Sequence, residues 1–358
     1  MSSSPSPETG PRQSLIWSDP QRQADFNLWL AALAHSHGLL PDSLRLASAD
    51  ASFRRYLRID SPAGSRIIMD APPEKEDCRP FAKVSSLMHE AGLHAAQVLA
   101  WDEAKGFMLL TDLGPQTMMQ AMQREDPWAN QGVYLQAVDS LIKWQLASRP
   151  DVLAPYDAIL LRREMELFPE WYLARHRGIA VEGELRRTLD EAFERIIQEN
   201  LRWPSVYVHR DFMPRNLMIS PNGLGVIDFQ DAVYGPITYD IASLMRDAFL
   251  SWEEDFCLDI TVRYWERARK AGLPVGDDFG EFYRGVEWMG LQRHLKVAGI
   301  FARLTLRDGK PQYLADTPRF ISYLRATCDR YRELKPLLRL IERAEGIVQV
   351  SGYAFGRS

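Results

Sequence analysis

The sequence predicts an α+β protein of two lobes, a small β-rich one followed by a larger, mainly helical one. Three observations carry that reading. A chain of 358 residues, at roughly 150 per domain, leaves room for two domains and a core that needs no disulfide or metal staple. Up to Thr111 the apolar residues fall in short extended runs separated by turn-forming residues. From Gly114 onward their period becomes helical, with Leu135, Val138, Ile142 and Leu146 on one stripe and Ile241, Leu244, Met245, Ala248 and Phe249 on another.

Met1 to Ser14 is rich in Ser and Pro and has no basic start leading into an apolar run, so it reads as a flexible tail rather than a secretory signal. Ser18-Asp19-Pro20 is a helix start, and Phe26, Leu28, Trp29, Leu30 and Leu33 interleave with polar residues as far as His37. Leu44–Leu46, Phe53–Ile59 and Ile67–Met69 read as three antiparallel strands, the last two joined through Ser61-Pro62-Ala63-Gly64. Pro80 to Glu90 reads as a helix. Gln97–Asp102 and Phe107–Thr111 pair across Glu103-Ala104-Lys105-Gly106, bringing the sheet to about five strands. The predicted division is a tail at 1–14, a sheet lobe at 15–113 and a helical lobe at 114–358. One extended island, Ser205 to Asp228, interrupts the helical lobe.

Composition narrows the function. Lys and Arg number 43 against 48 Asp and Glu, a formal charge of −5, so no overall basic field favours nucleic acid or an anionic membrane. No run of about eighteen apolar residues lacks a charge, so no segment reads as a spanning helix. Cys78, Cys257 and Cys328 lie far apart in no metal-ligand spacing, which suits plain thiols in a reducing cytoplasm.

The island gives the chemistry. Asp211 and Asn216 are five positions apart in His209-Arg210-Asp211-Phe212-Met213-Pro214-Arg215-Asn216, and Asp228 follows the apolar run Leu224–Ile227. Pro221-Asn222-Gly223 is strong turn chemistry between two strand-like runs. A hairpin centred on Asn222 brings the equidistant Asn216 and Asp228 side by side as an oxygen-ligand pair. Mg²⁺ accepts so few protein ligands because waters and substrate phosphates complete its shell. Asp211 is then a carboxylate near the metal but not bound to it, positioned to take a proton from a substrate hydroxyl. This is the layout of phosphoryl transfer from ATP.

His209-Arg210-Asp211 with Asn216, then Asp228-Phe229, resembles the protein-kinase signature. Asp228-Phe229-Gln230-Asp231-Ala232 running into Tyr239-Asp240-Ile241-Ala242 is more similar to the aminoglycoside phosphotransferase and choline kinase branch. Within it, Ala49 to Tyr56 and Met69 to Asp77 resemble bacterial kinases that phosphorylate the anomeric hydroxyl of N-acetylmuramate and N-acetylglucosamine in cell-wall recycling. The resemblance implies a protein-kinase-like fold, scaffold roles for His209 and Asp240, and an adenine slot at Leu110, Asp112 and Leu113. Ser52 stands where a phosphate lid is expected, although the loop lacks glycine. Only twelve positions separate Asp228 from Asp240, too few for the long segment on which protein kinases dock peptides, so a small-molecule acceptor is implied. Arg210, which would answer a phosphorylated loop in such kinases, has no obvious partner charge.

The lysine that the resemblance places on the third strand is missing; Asp70 follows Ile67-Ile68-Met69. Either Asp70 pairs with Lys83, which reaches the nucleotide from the helix, or Arg54, Arg55 or Arg58 contacts phosphate. For the acceptor, Trp288 to Lys296 puts Arg293 and His294 beside aromatic residues, suited to a sugar and to the lactyl carboxylate of N-acetylmuramate; a solvated basic helix face explains the same string. Asp231 is a further candidate for an acceptor hydroxyl. Other acceptors of the branch are an aminoglycoside, a choline-like alcohol or homoserine. The missing lysine and glycines leave a non-catalytic nucleotide-binding regulator as the rival class. No protein partner is implied.

Overall fold

The computed structural model describes residues 16–17, 19–49 and 53–347. The chain forms two compact units, one of residues 1–116 and 218–231, the other of 117–217 and 232–358. The predicted tail lies outside the described residues.

In the first unit Asp19 caps α1 (Pro20–Ser36), its side chain accepting from Gln21 N–H. Next come β1 (Leu40–Ala49), β2 (Arg55–Asp60), β3 (Arg66–Asp70), α2 (Arg79–Glu90), β4 (His94–Ala95), β5 (Val98–Asp102) and β6 (Phe107–Thr111). The five-stranded sheet runs β1-β2-β3-β6-β5 with antiparallel neighbours. Alternation along β2 turns Leu57 and Ile59 into a core with Phe26, Leu30, Leu39, Ile68, Phe107 and Leu109. Fully burying each such side chain is worth about 1.5–3 kcal/mol. The β5–β6 turn needs Gly106: its φ is +68°, and a Cβ there would lie 1.9 Å from the Ala71 carbonyl oxygen.

The second unit contains α3 (Met118–Ala121), α4 (Gln131–Leu146), α5 (Ala158–Met165), a π-helical stretch Phe168–His176, α6 (Gly183–Leu201) and β7 (Ser205–Val208). The chain then passes through the hairpin of β8 (Leu217–Met218) and β9 (Gly225–Val226). It continues into β10 (Val233–Pro236), α7 (Thr238–Met245), α8 (Glu254–Lys270), α9 (Phe279–Leu306), α10 (Thr317–Arg330) and α11 (Lys335–Ala344). The long α9 is the axis of this unit, buried continuously from Gly285 to Leu295. At Gly299 a Cβ would meet the Leu167 backbone carbon at 2.3 Å, so glycine sets how closely α9 approaches the π-helical stretch.

Three features differ from the sequence reading. The hairpin segment Met218–Asp231 groups with the sheet unit, because β9 pairs in parallel with β4, His94 opposite Gly225. Its strands are two residues each. β7 pairs antiparallel with β10, which lies beyond the predicted island. All three cysteines are buried thiols. Among the described residues no helix is long and apolar enough to cross a membrane.

Candidate active site

β7 delivers the loop His209-Arg210-Asp211, and four polar side chains fix its backbone. Asp240, fully buried on α7, accepts from His209 N–H at 2.7 Å and from Arg210 N–H at 3.0 Å. Burial pushes its carboxyl up to about 6, against the opposing pull of His209 and Arg293 and the two amides. Buried His209 turns Nδ1 toward Asp211 N–H at 3.3 Å, and Asn216 Nδ2 donates to the Asp211 carbonyl at 2.9 Å. His209 and Asp240 thus both touch the backbone of this loop. Asp211 is half-buried.

Arg210 has a left-handed backbone, φ +76°, which costs a residue with a Cβ about 1–2 kcal/mol. Arg293 Nη1 donates to its carbonyl at 2.6 Å. Its guanidinium, for which the sequence offered no counter-charge, donates to Glu164. Glu164 is 5% exposed and also accepts from Tyr156 Oη–H at 2.5 Å, Lys296 Nζ at 2.9 Å and Gln292 Nε2 at 3.1 Å. Burial would raise its pKa, but Lys296 and Arg210 outweigh burial and hold it at about 2. Removing one partner of such a buried pair typically costs about 3–5 kcal/mol.

Two acceptor candidates are reassigned. His294 is 2% exposed, its Nε2 lies 3.2 Å from the Arg246 carbonyl, and its ring stacks on Tyr323. Burial lowers its pKa to about 3, so it is neutral at working pH and offers no charge to a carboxylate. Arg293 is 4% exposed, committed to the Arg210 carbonyl, with its guanidinium 4.8 Å over the Tyr239 ring. The alternative of a solvated basic face also fails, since this part of α9 is buried all round.

In the first unit Asp228 has φ +63° and accepts from Gln230 Nε2 at 2.9 Å, while Phe229 is buried against Phe81 of α2, ring centroids 4.8 Å apart. Asp70 does not pair with Lys83. Register sets Arg55 directly opposite Asp70 across β2 and β3, and Arg55 and Arg22 take its two oxygens at 2.6 and 2.5 Å. Arg58 takes Asp112 at 2.6 Å, with Ser65 at 2.7 Å, so Asp112 braces the end of β6. Arg54 lies 3.1 Å from Glu76 and within electrostatic reach of exposed Asp231. Lys83 is exposed on α2; Leu110 and Leu113 are buried. Ser52 lies outside the described residues.

Asn216 and Asp228 each carry an oxygen donor of the kind a hard divalent ion takes. The bond from Asn216 Nδ2 to the Asp211 carbonyl turns the amide oxygen to the opposite side. Among the described residues no group of three or more His, Cys, Asp or Glu could hold a metal ion.

A model of the phosphotransferase enzyme family matches residues 43–278. The chain belongs to this family. It is 46% identical over 338 residues to a Neisseria meningitidis protein named N-acetylmuramate/N-acetylglucosamine kinase, covering 94% of this chain and 100% of that one. Among solved structures it resembles a choline/ethanolamine kinase family protein from Mesorhizobium loti, with TM-score 0.60, 13% identity and coverage of 90% and 99%. It also resembles the phosphotransferase APH(2″)-IIa in a ternary complex with streptomycin and ATP, with TM-score 0.55, 12% identity and coverage of 85% and 97%. The fold is protein-kinase-like, and the chain is a phosphotransferase.

Sequence reasoning missed Glu164, Tyr156, Gln292 and Lys296. One signal was present: Glu164 lies on the buried stripe of α5 with Leu161 and Met165, where a carboxylate is costly unless paired.

Proposed function

We propose that the chain is an ATP- and Mg²⁺-dependent kinase of amino sugars. It transfers the γ-phosphoryl group to the anomeric hydroxyl of N-acetylmuramate and N-acetylglucosamine, giving the sugar 1-phosphate in cytoplasmic cell-wall recycling. The observation that carries this reading is the braced Asp211 loop within a chain that matches a protein named for those two sugars along nearly its whole length.

Asp211 accepts the proton of the anomeric hydroxyl as that oxygen bonds to the γ-phosphorus and the bond to ADP breaks. Asn216 and Asp228 would hold Mg²⁺, which when bound neutralises phosphate charge. Leu110 and Leu113 serve the adenine, and Lys83 or Arg54 the phosphates. Asp231 serves an acceptor hydroxyl.

The test is Mg²⁺-dependent ADP release with N-acetylmuramate, N-acetylglucosamine, kanamycin, choline and homoserine. Turnover confined to the two amino sugars, with a 1-phosphate product by ³¹P NMR, supports the reading. Turnover on kanamycin or choline alone moves the acceptor. Nucleotide binding without turnover on any acceptor replaces the enzyme with a regulator.

A further inference from the structure

The mechanism leaves one feature unused: the buried carboxylate of Glu164, on which four elements converge. Glu164 projects from α5, Tyr156 from the segment before it, Gln292 and Lys296 from one face of α9, and Arg210 from the catalytic loop. Tyr239 of α7 closes the cluster, its ring edge-on to Tyr156 at 5.1 Å and its hydroxyl 3.5 Å from Lys296 Nζ. Of the groups held there, only Arg210 belongs to the loop that carries Asp211, and it adjoins Asp211 in sequence.

We propose that Glu164 is a positioning residue for phosphoryl transfer, holding Arg210 by its guanidinium in the left-handed conformation that presents Asp211. The inference rests on the reading of Asp211 as the base. Three constraints converge on Arg210. Asp240 fixes its N–H, Arg293 its carbonyl and Glu164 its side chain. With both backbone groups pinned and φ at +76°, the next peptide has one direction available, and that peptide begins Asp211. A residue with a Cβ leaves this torsion readily unless it is restrained. Glu164 supplies the restraint as a permanent negative charge inside the fold, where a kinase regulated by phosphorylation would supply it from outside. The chain needs no modification to hold this loop.

The experiment is a double-mutant cycle with Glu164→Gln and Arg210→Gly, read as kcat and KM, with Asp211→Asn measured alongside. Glutamine keeps the size and an acceptor oxygen but removes the charge. Glycine adopts φ +76° without a side-chain anchor. Glu164→Gln is expected to lower kcat about 10- to 100-fold, the scale of a misplacement of about 1 Å, with KM for ATP changed less than about twofold. In the Arg210→Gly background the same substitution is expected to lower kcat less than about threefold. Equal loss in both backgrounds, or a loss seen only in KM, overturns the proposal, because a general packing role does not depend on Arg210. If Glu164→Gln does not fold, Glu164→Asp replaces it. That variant keeps the charge but withdraws it by one methylene, and the same background dependence is expected; its absence overturns the proposal. Full turnover in Asp211→Asn rejects the reading of the base. Lost turnover there with an undiminished Glu164→Gln rejects only the anchor.

Discussion

The two units use their buried charges for different kinds of backbone. In the first, the guanidinium groups on and beside β2 meet carboxylates that strand register or a nearby turn sets against them: Arg54 with Glu76, Arg55 with Asp70, which Arg22 shares, and Arg58 with Asp112. In the second, Arg210 and Lys296 converge on one carboxylate, Glu164, behind the loop that carries Asp211. The difference follows from backbone geometry. Strands are relaxed and their ladder dictates who faces whom, so the bridges there hold side chains rather than a strained backbone. The Asp211 loop departs from relaxed torsions at Arg210 and needs several restraints at once.

The contrast predicts where damage concentrates. Asp228→Ala is expected to abolish Mg²⁺-dependent ADP release while leaving the melting temperature within a few degrees of the parent; undiminished turnover would remove Asp228 from the metal site. Asp211→Asn is expected to keep nucleotide binding by calorimetry and to lower kcat about 10²- to 10⁴-fold. On the sheet the sharper contrast is between kinds of effect. Arg58→Ala leaves Asp112 short of a partner and is expected to cost about 1.5–3 kcal/mol in denaturant unfolding without moving KM for ATP. Lys83→Ala is expected to raise that KM several-fold with little effect on stability. A KM shift in Arg58→Ala, and none in Lys83→Ala, would reverse the assignment.

Buried carboxylates outside Glu164's network make a pH prediction. Burial pushes Asp247 up to about 6, opposed by its bond from Phe249 N–H and by Arg293. An unfolded Asp titrates near 3.9, so between about pH 4 and 6 the folded chain holds a proton that the unfolded chain lacks. That stability is fully present below the unfolded pKa and is lost as pH rises through 6. Asp247→Asn is expected to flatten the dependence of unfolding free energy on pH between 4.5 and 6 by up to about 1.4 kcal/mol per pH unit. An unchanged slope would place the Asp247 carboxyl in its ordinary range. The smallest effect is expected at His294. Because it is neutral and enclosed, His294→Gln should leave the ratio of KM values for N-acetylmuramate and N-acetylglucosamine unchanged.

The sheet was legible because its signals are local, and so was the turn chemistry of the segment after Asp211. Alternation marks β2, and short unbroken apolar runs mark β3 and β6. What stayed hidden depends on distance or brevity. β4 has two residues and no periodicity to read. The partner of Arg210 lies 46 positions upstream, a pairing that only folding brings about. His294 and Arg293 read as a solvated face because a helix buried all round can carry polar residues that reach backbone carbonyls of other elements, here those of Arg246 and Arg210. Pairing Asp70 with Lys83, one of the two options the sequence offers, overlooks the strand register that sets Asp70 opposite Arg55.

The buried thiols give each unit its own clock. Cys78 lies in the sheet unit and Cys257 and Cys328 in the helical one, all under 7% exposed, with burial raising every thiol above its ordinary pKa. A thiol reagent therefore reacts only when the surrounding structure opens. Peptide mapping of the labelled sites over time reads the opening rates of the two halves separately, in one tube and without a single engineered residue.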